Sequence, residues 1–134
     1  MKRVYVCHDN MTGLFSAVYD AWLERNEASE AGIGFRGSLE QELFCEYREV
    51  KETQEKALAV ERLIKKNLGG EVYWDIYHAA QADDTRKGTA ILGTMLEARR
   101  ISDSTKIMNH LTCPHVAIVF ELKRSCLLYT SRCV

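Results

Sequence analysis

The chain has 134 residues, 46% of them hydrophobic and 28% charged, with a formal net charge of −1. That length suits one domain, and no window approaches the ~18 apolar residues that a membrane span needs. Met1-Lys2-Arg3 starts basic, but the following residues turn polar too soon for a secretory signal, so a cytoplasmic protein is expected. The five cysteines have no paired spacing, which points to free thiols rather than a disulfide framework.

Arg3 to Cys7, with Val4, Tyr5 and Val6, reads as a short strand. Met11, Leu14, Phe15, Val18 and Trp22 then recur at helical spacing and predict a helix over 11–26. Asp9, Asn10 or Thr12 can cap its start. Each large side chain on that stripe contributes about 1.5–3 kcal/mol once covered, so this helix is expected to organise the N-terminal core. A polar, glycine-punctuated loop follows, with a short strand expected at 33–36 and an extended segment at 47–50.

From residue 53 to 125 the pattern is helical. Thr53 can cap a helix whose buried face is Ala57, Val60, Ile64 and Leu68, ended by Gly69-Gly70. A second helix over 71–82 turns Val72, Tyr73, Ile76, Tyr77 and Ala80 inward, and a third, capped by Asp83-Asp84, carries Ala90, Ile91, Met95 and Leu96 to about Arg100. Ser102-Asp103-Ser104 starts a short fourth with Ile107, Met108 and Leu111. Pro114 opens the last, because proline suits the first helical turn, with Val116, Val119, Phe120 and Leu122 apolar. The fold class is therefore α+β with helix dominant. If the first strand pairs in parallel with a later one, the crossover should be right-handed. So small a sheet cannot cover itself, so helices must pack on it.

The last nine residues, Cys126 to Val134, back-translate to a transposon end used in sequencing-library adapters, joined to its own reverse complement. Residues 126–134 are accordingly read as a non-native scar and residues 1–125 as a single incomplete domain. An interrupted domain should expose an apolar patch larger than the few hundred Å² usual for a monomer.

Few constellations point to chemistry. His110, Cys113 and His115 lie within six residues, but Pro114 forces a turn between them and no second ligand pair stands at zinc spacing, so no metal site is expected. Cys7 and His8 sit at a strand end, yet neighbours in a strand face opposite ways. Cys45 reads as a buried inert thiol. Glu40, Glu42, Glu46, Glu49 and Glu52 form an acidic run from which nothing selects an acid–base pair, so a solvated face is expected. His78 reads as a surface or core residue. There is no phosphate loop, no dinucleotide fingerprint and no three-cysteine iron–sulfur run.

Charge is the better lead. Residues 1–55 carry −5 and residues 56–134 carry +4. Arg62, Lys65 and Lys66 project from one helix, Arg99 and Arg100 end another, and Lys123 and Arg124 are read as ending the last. Helix dipoles favour cations at such ends by ~0.3–1 kcal/mol each. Convergence of these cations in space would instead suit contact with nucleic acid or an acidic partner.

One resemblance adds to this. Gly13 to Trp22, Glu42 to Val50, Lys56-Ala57 with Lys65-Lys66, Lys87 to Ile91, and Pro114-His115-Val116 with Val119 to Leu122 together resemble a bacterial family of DNA-metabolism and DNA-repair proteins whose activity is unassigned. The resemblance implies a partner, a radical S-adenosylmethionine (radical SAM) protein encoded beside the gene, and a link to uracil-DNA glycosylase, to which some relatives are fused. It implies no catalytic residues and no cofactor of the chain's own. The family pattern continues past Ser125 through a segment rich in His, Phe, Gly and Arg. The expectation is an accessory DNA-metabolism protein. Its rivals are a hydrolase or glycosylase-like enzyme acting on nucleic acid, with its site in a further C-terminal part, and a structural interaction module.

Overall fold

In the computed structural model, the first strand, β1 (Lys2–Cys7), pairs in parallel with β2 (Glu30–Phe35) on one side and β3 (Cys45–Glu49) on the other. The structure describes residues 2–39 and 44–133, with side chains described to residue 126. Glu40 and Glu42 of the acidic run lie outside the described residues. Two compact units are distinguished, Met1–Val60 and Glu61–Val134. The α+β class holds, with a three-stranded sheet among the described residues and helices after it.

In the first unit, α1 (Met11–Leu23) connects β1 to β2 and packs on both. Asn10 is the cap: its Oδ1 accepts from the Gly13 N–H at 2.7 Å. Leu14, Phe15, Ala17, Val18 and Ala21 are buried, as are Val4, Tyr5, Val6 and Cys7 of the central strand. The helix stops at Leu23, short of the expected 26. There the Arg25 guanidinium donates to the Trp22 carbonyl at 2.8 Å. Glu24 turns back to the sheet, accepting from Tyr5 Oη at 2.6 Å and from Arg3 and Arg48 at 3.1 Å each. Both expected strands are longer, 30–35 against 33–36 and 45–49 against 47–50, because parallel pairing with β1 recruits their neighbours.

The helix α2 (Gln54–Asn67) is capped by Thr53, whose Oγ1 accepts from the Lys56 N–H at 3.2 Å. It buries Val60, Ile64 and Leu68. Gly69, at φ 97°, makes the turn that an L side chain rarely adopts. In the second unit, α3 (Gly70–Ala80), α4 (Lys87–Ala98) and α5 (Pro114–Cys133) follow, with a 3-10 turn at Ser104–Asn109. The helix α5 packs along both α3 and α4, burying Val116, Val119 and Leu122 with Ile76, Ile91, Leu92 and Met95 in the core.

The expected fourth helix is that 3-10 turn, capped by Asp103, and it buries Ile107 but leaves Leu111 exposed. Short connecting turns of this kind commonly take the tighter i+3 bonding. The last helix does not end at 125. With no glycine or proline after Pro114, its backbone continues through 126–133. Exposed large apolar side chains include Leu23, Phe44 and Tyr47 in the first unit and Trp74 and Leu111 in the second. Among the described residues, no helix is long and apolar enough to cross a membrane.

Candidate functional site

The cations singled out by the sequence lie in the helical unit. Arg62 and Lys66 are one turn apart on α2 and share a face. Both are exposed, and neither makes an ion pair among the described residues. Lys65 bonds Glu61 at 3.3 Å and places its Nζ 4.8 Å from the centre of the Tyr73 ring.

Arg99 and Arg100 follow the end of α4, Arg100 lying 3.7 Å from Glu97. Lys123 and Arg124 are not at a helix end, since α5 runs on to Cys133, so the dipole does not account for them. Lys123 pairs with Asp75 at 3.2 Å and, like Arg124, lies over Phe120. Lys65 and Lys123 thus both reach α3 but on opposite flanks, since Tyr73 and Asp75 are two residues and about 200° apart. Lys123 also lines a cavity of about 510 Å³ together with Lys106, Glu71 and Asp75.

A second arrangement stands at the carboxyl edge of the sheet. The order β2-β1-β3 means that the chain leaves β1 for one side and returns on the other. Crevices at such reversals are where open α/β sheets bind ligands. His8 follows β1 and Glu52 follows β3 at this edge. One Glu52 oxygen accepts from the His8 backbone N–H at 3.1 Å and lies 2.8 Å from His8 Nδ1. A carboxylate can only accept, so Nδ1 carries a proton and Nε2 is turned away from Glu52. The imidazole is 60% exposed while Glu52 is largely covered.

Burial pushes the Glu52 carboxyl up. The bonds from the His8 ring and backbone, with the charge of Arg36, outweigh it and hold Glu52 below the usual carboxylate range. Around the pair, Ser16 Oγ donates to the Thr53 carbonyl at 3.1 Å and accepts its N–H at 3.0 Å. Thr12 donates to Gln54 at 3.0 Å.

Of the described members of the acidic run, Glu46 and Glu49 remain solvated as expected, while Glu52 is largely covered. Glu46 binds Arg3 and Arg48, Glu49 pairs with Arg36, and Glu52 holds His8. Sequence spacing does not reveal Glu52 as a partner, because it lies 44 residues from His8. The signal that finds it is topological: parallel strands that end just before His8 and just before Glu52 bring both to one edge. Cys7 is buried beside its exposed neighbour His8. Cys45 is half-buried rather than enclosed, because β3 is an edge strand. Among the described residues, Cys7, Cys45, Cys113 and Cys126 form no disulfide.

His110 ends the 3-10 turn, and His115 lies against Gly93 of α4. Among the described residues, no group of three His, Cys, Asp or Glu side chains is placed to hold a metal ion. His78 stacks on Trp74, their ring centres 5.1 Å apart. No family model, curated protein or solved structure matches the chain.

Proposed function

We propose that this chain is a cytoplasmic accessory protein of DNA metabolism, contacting nucleic acid through its helical unit. It works beside a radical SAM protein whose iron–sulfur cluster does the chemistry. The observation that carries the reading is the last two turns of α2. Arg62 and Lys66 stand exposed and make no ion pair among the described residues, and Lys65 beside them caps an aromatic ring. Exposed cations not held in an ion pair are the ones best able to neutralise phosphates. The family resemblance supports the same reading. Many of its residues, among them Phe15, Val18, Ala90, Ile91, Val116 and Val119, lie in the buried core, so what is shared includes the scaffold.

The test is retention of DNA by the chain, with and without the radical SAM protein encoded beside its gene, across a salt series. Binding should weaken linearly in log salt. Arg62→Ala with Lys66→Ala should lower the magnitude of that slope by about 2, roughly one for each phosphate no longer neutralised. Failure to retain DNA at any salt, with or without the partner, refutes the proposal.

The His8–Glu52 pair favours a second reading, an enzyme acting on nucleic acid, with its site in this chain rather than beyond it. A carboxylate-oriented imidazole at a sheet reversal is the arrangement a general base requires. Under that reading the chain alone turns over a nucleic-acid substrate, and His8→Ala lowers the rate by about 10²–10⁴-fold. Turnover that is unchanged in His8→Ala removes it.

A further inference from the structure

The helix α3 buries Val72, Ile76, Ala79 and Ala80, yet it carries four aromatic or imidazole rings elsewhere. Trp74 is 58% exposed. Its ring centre lies 5.1 Å from that of His78, with planes 20° apart, and 5.3 Å from that of Tyr77, edge to face at 72°. Tyr77 is 6.2 Å from Tyr73, and Lys65 covers Tyr73 at 4.8 Å. The rings therefore form one continuous strip from the last turns of α2 along α3. Helical spacing explains the continuity: 73 and 77, and 74 and 78, are four apart, and 74 and 77 are three apart.

The strip is not core, because the inward face of α3 is already filled by aliphatic side chains. It is also braced. His78 and Tyr77 hold the indole, so little side-chain freedom is lost when a flat partner lands on it. Its cationic end adjoins Arg62 and Lys66 on α2, which have no ion pair among the described residues. Flat π faces beside free cations match bases beside phosphates. A duplex keeps its base faces stacked inside, and only unpaired bases offer theirs.

We propose that this face of α3 is a base-stacking platform for single-stranded nucleic acid, with Trp74 as the contact residue and the α2 cations holding the backbone. The proposal rests on the nucleic-acid reading above and names its substrate class. Stacking is tolerant of sequence, so the platform selects strandedness rather than a base.

The experiment is fluorescence anisotropy with the whole chain. The probes are a labelled oligothymidylate of about 15 nucleotides and a duplex of equal length. Trp74→Ala is expected to weaken single-strand binding about 10- to 100-fold while leaving duplex binding unchanged, and Trp74→Phe to retain most of it. In a Trp22→Phe background, the remaining indole emission should be quenched by the oligothymidylate. Because Trp74 is exposed, its variants should keep the wild-type circular dichroism.

Unchanged single-strand affinity in Trp74→Ala, with affinity lowered in Arg62→Ala/Lys66→Ala, overturns the platform and leaves the nucleic-acid reading standing. Loss of an oligomer in Trp74→Ala on sedimentation, with oligonucleotide affinity unchanged, assigns the strip to self-association and overturns it too. Absence of binding to either probe at low salt overturns both proposals.

Discussion

At position 13 there is no room for a methyl group. A Cβ there would lie 2.6 Å from Glu52 Oε1 and 2.6 Å from the His8 carbonyl oxygen. The same residue gives its N–H to the Asn10 cap. Glycine thus lets the first turn of α1 approach the strand end closely enough for Glu52 to sit over it and bind His8. Gly13→Ala should lower stability by about 1–3 kcal/mol, the cost of overpacking against a backbone atom that cannot swing away. Urea unfolding measures it. The second observable is local: with Glu52 displaced, His8 loses its partner, and its imidazole NMR resonances at fixed pH should move toward those of Glu52→Gln. A variant with wild-type stability and an unshifted His8 would show that the close approach is not needed.

Among the elements, those whose signal is local are legible in the sequence. The capping by Asn10, Thr53 and Asp103, the proline at the start of α5, and the glycine pair after α2 all depend on residues within a turn of one another. Asn10 is one of the three residues offered for its cap and the others stand where the sequence puts them, but α4 starts after Arg86 with no side-chain cap, not at Asp83-Asp84. What is not legible depends on partners far along the chain. The end of α1 is set by Glu24 reaching Arg3 and Arg48 across the sheet, and β2 and β3 gain residues from their register with β1.

The candidate sites divide the same way. Arg62, Lys65 and Lys66 stand out because helical spacing alone puts them on one element. Glu52 does not, because its acidic neighbours draw it into a run that reads as solvated. Trp74 is hidden for a related reason: aromatic residues at helical spacing suggest an inward face. Tyr73 and Tyr77 are half-buried, and the indole points out. Only the aliphatic filling of the opposite face distinguishes the two cases, and that is a property of α5 and α4 as much as of α3.

Over the whole molecule, the titrating groups define a window of stability with two edges. Glu46 is held below the usual carboxylate range by bonds from Arg48 and Arg3. Glu52 is likewise depressed, as are Glu61, Asp84 and Asp103 in the helical unit. The unfolded chain takes up these protons at higher pH than the folded one. Their stabilisation is therefore complete above the ordinary values of 4.5 and 3.8, and it is lost as pH falls below them.

The alkaline edge has the opposite sign. Burial, more than its hydrogen bonds, pushes the Tyr5 hydroxyl from 10.0 up to about 12, and Tyr73 is raised by burial and by its bond to Glu61. The unfolded tyrosines lose their protons first. Stability is thus complete below pH 10 and is lost as pH rises from there toward 12.

Tyr5→Phe separates the alkaline contributions. It removes the 2.6 Å bond to Glu24, which should cost about 1–2 kcal/mol at neutral pH. It should also flatten the decline above pH 10 while leaving the acid edge where it was. Urea midpoints measured from about pH 2 to about pH 12 test both edges at once. A Tyr5→Phe profile parallel to wild type across the alkaline range would show that the Tyr5 proton is not linked to folding, and that the Arg3–Glu24–Arg48 ion network holds without its hydroxyl.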